Sequence, residues 1–112
     1  LTDIAQLPQQ TALSHIAQGL YRHKSRNEIF GTGYCVQSLE AALWCFEQAE
    51  SFEETILLAA NLGDDADTTA AIAGQLAGAY YGVEGIPRHW RDRLWQCEEI
   101  TTLASQLLTK TA

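Results

Sequence analysis

Methionine is missing from all 112 residues, proline occurs twice and cysteine three times, and seven basic residues face fourteen acidic ones. Each scarcity removes a class of explanation. With no initiator present, a chain opening on Leu1 reads as a fragment or a cleaved piece of a longer protein. Cys35, Cys45 and Cys97 are odd in number and lack a short paired spacing, which argues against a disulfide framework or a cysteine-based metal site and leaves reduced core thiols. Cys35 has no neighbouring histidine to activate it as a nucleophile. His15, His23 and His89 have no ligand-like spacing and read as surface or cap histidines. A net charge of -7 withholds the basic footprint that nucleic acid or an anionic membrane surface requires. Six of the seven basic residues fall in two clusters, Arg22, Lys24 and Arg26, then Arg88, Arg91 and Arg93, and both read as solvated helix ends. No unbroken apolar run approaches the ~18 residues of a membrane span. Neither a nucleic-acid nor a membrane partner is expected, and a cytoplasmic setting is.

What the chain does have is helical periodicity. Leu13, Ile16, Ala17, Leu20 and Tyr21 recur at helical spacing after Pro8, predicting a helix over about residues 9–22. The polar stretch from Arg22 to Asn27 breaks it, and Phe30-Gly31-Thr32-Gly33-Tyr34 reads as an ordered glycine loop. Val36, Leu39, Leu43 and Phe46 resume the stripe. Ser51 and Glu54 form a capping box that starts a short helix through Ile56, Leu57 and Ala60, which Gly63 can end in a left-handed conformation. In the next helix, beginning at Thr69, residues Ala70, Gly74, Gly78 and Gly82 fall at four-residue intervals and predict close approach of another backbone. Pro87 suits a first helical position, with Trp90 and Leu94 turned inward. Ile100, Leu103, Ala104, Leu107 and Leu108 define a last amphipathic helix. No strand, internal repeat or low-complexity linker is evident. The expected class is all-α, a compact orthogonal helical domain fragment of about six helices.

Between two of these helices stands Gly63-Asp64-Asp65-Ala66-Asp67-Thr68, with three carboxylates and a hydroxyl in five residues. A helix N-terminus offers about half an elementary charge, enough to settle one carboxylate as a cap but not all three. Asp65 and Asp67 fall on one side of an extended turn by alternation, and Thr68 can add its hydroxyl. A donor set of oxygens alone suits magnesium, manganese or calcium rather than zinc. An EF-hand loop starting at Asp65 would need glycine where Ala70 stands and glutamate where Leu76 stands. The aspartate-rich motif of helical prenyl-diphosphate enzymes wants an acid at Thr68, and the haloacid-dehalogenase pattern at Asp65-Ala66-Asp67-Thr68-Thr69 wants a buried strand where Ile56-Leu57-Leu58 reads as helix. The plainer alternative is an acidic helix cap with a surplus surface aspartate.

Gly63-Asp64-Asp65-Ala66-Asp67-Thr68 and Gly78-Ala79-Tyr80-Tyr81-Gly82 resemble the late motif of the ADP-ribosylhydrolase (ADP-ribosylglycohydrolase) family, the glycohydrolases similar to the dinitrogenase-reductase-activating enzyme. Gly31-Thr32-Gly33-Tyr34, Ser38-Leu39-Glu40-Ala41-Ala42-Leu43-Trp44 and Ile86-Pro87 with Trp90 add to the resemblance in the family's order, over most of residues 28–95. The resemblance implies that residues 1–112 are the C-terminal portion of such a helical domain. It implies a metal-dependent hydrolase that cleaves a glycosidic bond of ADP-ribose attached to a protein or a small molecule. It implies two magnesium ions, with manganese as a substitute, to which Asp65, Asp67 and Thr68 supply ligands, and a substrate loop in which Gly33 and Tyr34 contact ADP-ribose. The family's earlier Thr-Asp-Asp-Thr motif has no match, since Thr2-Asp3 runs into Ile4. This chain is therefore expected to hold part of the active site, with the missing N-terminal portion of the domain as its partner and no general base of its own. Asp64 stands where the family often has glycine. The alternative is a catalytically inactive helical binding or structural module of the same fold. The leaving group, whether arginine, serine or another, is not legible.

Overall fold

Glycine and small residues decide where the helices stop and how near they lie. The computed structural model describes residues 9–30, 35–63 and 65–111, and among these there are six α-helices and no strand. Helix α1 spans Gln9–Ala17, α2 Cys35–Gln48, α3 Phe52–Ala60, α4 Ala66–Tyr81, α5 Arg88–Arg93 and α6 Cys97–Thr111. The first helix is shorter than its periodicity implies. Gly19 adopts a left-handed conformation (φ 76°), and the chain continues as a 3-10 turn over Leu20–His23, so Tyr21 still reaches the core. Ser51 caps α3 by accepting the Glu54 N–H at 3.1 Å, while the Glu54 carboxylate accepts the N–H of Glu50, one residue before its expected partner. Gly63 takes the left-handed turn expected of it, with φ 84°.

α2, α3 and α4 pack against one another and enclose most of the core. On α4, Thr69, Ala73 and Ala77 form the fully buried stripe. The glycines one position later face α3: a β-carbon built on Gly74 would meet the Ile56 Cδ1 at 3.4 Å, and one on Gly78 the Phe52 Cε2 at 3.9 Å. Small residues thus let α4 lie close to its neighbours, although Gly78 itself is not forced by contact. Cys45 lies within this core, and burial pushes its thiol up to about 12 against a smaller opposing pull from the Arg26 guanidinium. Cys35 is exposed and Cys97 half-buried, so only one of the three thiols is a core residue.

In the first basic cluster Arg22 and Arg26 are exposed, as expected of a solvated helix end, but Lys24 is not. Lys24 is buried, and its ammonium lies 2.8 Å from Glu40 on α2, each side chain only 4% exposed. Arg22 pairs at the surface with Glu47 at 3.1 Å. Arg26 donates from Nη2 to the Asn61 carbonyl at 2.7 Å. In the second cluster Arg88 and Arg93 are exposed, as expected, and Arg91 is half-buried with its Nε unpaired.

The C-terminal helices stand apart from this body. Pro87 occupies the cap position of α5 rather than its first turn. Trp90 is half-buried, but Leu94 is 52% exposed instead of turned inward, because α5 ends at Arg93. α6 is amphipathic as expected, yet Ile100, Leu103 and Leu107 are exposed and Leu108 is 72% exposed. A cavity of about 370 Å³ bordered by Phe52, Ile56, Trp90 and Ile100 opens between α3 and these last helices. The radius of gyration is 15.2 Å, against about 13 Å for a compact domain of roughly 100 residues.

Because the Gly78 contact is ordinary, Gly78→Ala is expected to raise stability by about 0.5–1 kcal/mol through helix propensity. Gly85→Ala is expected to lower it, since the new β-carbon would lie 2.6 Å from the Tyr81 Cβ. Thermal denaturation of the two variants checks both signs.

Candidate metal centre

The acidic segment is positioned by the helices on either side of it. Asn61 caps α3, its N–H and its Nδ2 both donating to the Leu57 carbonyl, and Gly63 then turns the chain so that Asp65 becomes the N-cap residue of α4. The helix begins at Ala66, three residues earlier than its small-residue pattern suggests. Asp67 and Thr68 therefore lie in the first helical turn, and the extended turn expected for Asp65 and Asp67 is not formed.

The two aspartates meet nonetheless, at the mouth of the helix. The Asp67 carboxyl is held below the ordinary carboxylate range, first by a hydrogen bond shared with the Asp65 carboxyl and next by the Thr68 N–H, with slight burial opposing and its own N–H adding to the effect. Asp65 makes no side-chain capping bond to the helix, so its oxygens are not taken up by the free amides there. Two carboxyl groups within hydrogen-bonding reach repel when both are ionised, and a shared proton or a cation relieves that repulsion. The Asp65 and Asp67 carboxylates with the Thr68 hydroxyl are a hard, all-oxygen donor set, which fits magnesium or manganese.

That set does not complete a centre. Among the described residues no group of three or more His, Cys, Asp and Glu side chains gathers in a form that could hold a metal ion. An octahedral cation takes roughly six oxygens, more than Asp65, Asp67 and Thr68 can offer. Asp64, Gly33 and Tyr34 lie outside the described residues. The loop containing Gly33 and Tyr34 is bordered by exposed Phe30 and exposed Cys35.

Three features escape a reading of charge and motif alone. Thr69 is fully buried and its hydroxyl has no hydrogen-bond partner; its place four residues before Ala73 and eight before Ala77 marks it as the polar member of a buried stripe. Glu40 lies four residues after Val36 and four before Trp44, on the buried face of α2, and a carboxylate there signals a buried cation. That cation is Lys24, whose backbone carbonyl also accepts the Trp44 indole N–H at 2.9 Å. The third is the Arg26 contact with Asn61, which no spacing rule announces.

Helices throughout the described residues, an Asp-x-Asp-Thr helix mouth, a small-residue helix behind it and a Tyr-Tyr-Gly terminus mark one class of helical domain, and sequence comparison identifies it. The chain belongs to the ADP-ribosylglycohydrolase family, whose sequence profile matches residues 2–112. It is 52% identical over 92 residues to the ADP-ribosylarginine hydrolase Tri1 of Serratia proteamaculans, covering 82% of this chain and 25% of that protein. It is 40% identical over 63 residues to the ADP-ribosyl-[dinitrogen reductase] glycohydrolase of Rhodospirillum rubrum, covering 56% of this chain and 21% of the relative. With the mouse ADP-ribosylhydrolase ARH3 it shares 34% identity over 98 residues, 74% of this chain and 26% of that one. The chain spans about a quarter of the length of the curated relatives it matches.

Adjacent threonines in the first turn of α4 face different surroundings, and substitution separates them. In the complete protein Thr69→Val is expected to raise stability by about 1 kcal/mol, because a buried hydroxyl without a partner is removed. Thr68→Val is expected to leave the melting temperature unchanged and to weaken binding of Mn²⁺. Calorimetry on the two proteins measures both effects.

Proposed function

We propose that the complete protein is a divalent-cation-dependent hydrolase that cleaves the glycosidic bond between ADP-ribose and an arginine side chain, with residues 1–112 as the C-terminal portion of its helical domain. The observation that carries this reading is the placement of Asp65 as the N-cap residue of α4 with Asp67 and Thr68 in its first turn, where the neighbouring Asp65 side chain and the Thr68 N–H hold the Asp67 carboxyl low. The arginine linkage rests on relatives at 52% and 50% identity, each an ADP-ribosylarginine hydrolase. The exposed apolar side of α6 supports an N-terminal portion of the same domain that covers the helix, and in this reading that portion also supplies further ligands.

In this reading Asp65, Asp67 and Thr68 hold magnesium, or manganese in its place, as part of a two-ion site. A divalent cation bound there supplies positive charge that orients ribose hydroxyls and acidifies water. Bond cleavage at the anomeric carbon builds positive charge on the ribose, and the negative charge of nearby carboxylates offsets it. The low-lying Asp67 carboxyl stays ionised at neutral pH, as a ligand must. Gly33 and Tyr34 contact ADP-ribose, the glycine by close backbone approach and the tyrosine by its ring. A cytoplasmic setting belongs to the same proposal and is supported by three free thiols; among the described residues no helix is long and apolar enough to cross a membrane.

Hydrolysis of ADP-ribosylarginine by the complete protein should require Mg²⁺ or Mn²⁺ and should be faster than hydrolysis of a serine-linked substrate. Residues 1–112 alone should show little or no turnover. Asp65→Ala and Asp67→Ala should each weaken Mn²⁺ binding by more than about ten-fold. Tyr34→Ala should cost about 0.5–1.5 kcal/mol in ADP-ribose binding while sparing the metal. Failure of the complete, folded protein to bind Mn²⁺, or Mn²⁺ binding indifferent to both aspartates, contradicts the assignment.

A further inference from the structure

Arg26 joins two parts of the molecule that sequence keeps far apart. Its guanidinium donates from Nη2 to the Asn61 carbonyl at 2.7 Å, closing the C-terminus of α3 four residues before Asp65. Basic side chains at a helix C-terminus stabilise the last carbonyls in this way. The segment that carries Arg26 is itself firmly held. Immediately before it, Lys24 is fixed to α2 twice, through its ammonium on Glu40 and through its carbonyl, which accepts the Trp44 indole N–H. The Glu28 carboxylate accepts both the Ser25 N–H at 3.0 Å and the Ser25 hydroxyl at 3.1 Å, closing a 3-10 turn over Arg26–Glu28. Ile29 then enters the core. Residues 24–29 form a strut anchored on α2, and Arg26 ties it to the far end of α3.

We infer that Arg26 is a positioning residue for the cation loop: it fixes the end of α3, and thereby the point from which Gly63 turns the chain so that Asp65 and Asp67 meet at the mouth of α4. This inference rests on the cation-site reading above.

The sign of its effect distinguishes positioning from simple electrostatics. A guanidinium acting only through its charge would oppose a bound cation, and its removal would tighten Mn²⁺ binding. A positioning role gives the opposite result. In the complete protein, Arg26→Ala should weaken Mn²⁺ binding measured by calorimetry about ten-fold, with the far-UV circular dichroism of the unaltered protein retained. Arg26→Lys should recover most of the affinity, because an ammonium can donate to the same carbonyl. Arg22→Ala, which removes a basic residue of the same cluster paired with exposed Glu47, should leave Mn²⁺ binding unchanged. Should Arg26→Ala not fold, Arg26→Met, which keeps the length of the side chain but has no N–H donor, is read in its place with the same expectation. Unchanged or tighter Mn²⁺ binding by the arginine variant, in a protein whose binding is abolished by Asp65→Ala, overturns the positioning role alone. Absence of Mn²⁺ binding by the unaltered protein overturns the cation site and this inference with it.

Discussion

An ammonium and a carboxylate held 2.8 Å apart and almost wholly out of water fix how the loop-rich first third of the chain sits on its helices. Desolvating the Lys24 and Glu40 charges costs several kcal/mol per ion by order of magnitude, and their mutual attraction recovers this only in good geometry. Such a pair contributes little net stability but tolerates little displacement. It therefore acts as a register: Lys24 can occupy one place along α2, between Glu40 and the Trp44 indole, and everything from Tyr21 to Ile29 follows from that placement. An apolar substitute could supply comparable burial without comparable selectivity.

The small-residue stripe of α4 is the complementary constraint. Thr69, Ala73 and Ala77 have no exposed surface, and they let α4 lie against α2 and α3 together. A helix packed on two sides has a fixed mouth, which is why the acidic residues at its N-terminus have a defined relationship although they lie near the surface. Larger side chains at those positions would push the three helices apart and leave Asp65 and Asp67 on a looser turn. Within this stripe the orphaned hydroxyl of Thr69 is where the packing is chemically imperfect.

Helical periodicity was legible throughout, since every long apolar stripe in the sequence became a helix, and the turn signals at Ser51 and Gly63 acted as their chemistry dictates. Boundaries were less so. Tyr21 continues the spacing of α1 by way of a 3-10 turn, because Gly19 permits a break that periodicity alone does not reveal. The start of α4 was hidden for the opposite reason: Asp67 and Thr68 are poor helix formers, yet they are favoured in a first turn. The acidic donors themselves could be named from residue type and spacing. Their support could not, because Lys24 and Arg26 lie in a polar run whose composition is that of a solvated surface, and only the three-dimensional position of Glu40 and Asn61 distinguishes an anchored strut from a free loop.

Cys45 and Cys35 stand at opposite extremes of accessibility on a single helix. A thiol with no exposed surface, its ionisation pushed up to about 12, reacts with an alkylating reagent only when the surrounding core comes apart. Cys35, ten residues earlier and at the surface, needs no such event. α2 therefore carries its own clock and its own reference: labelling at Cys35 reports the reagent, and labelling at Cys45 counts how often the interface of α2 with α3 and α4 opens. Rates of opening thus become measurable in the native protein, with no added probe and no denaturant.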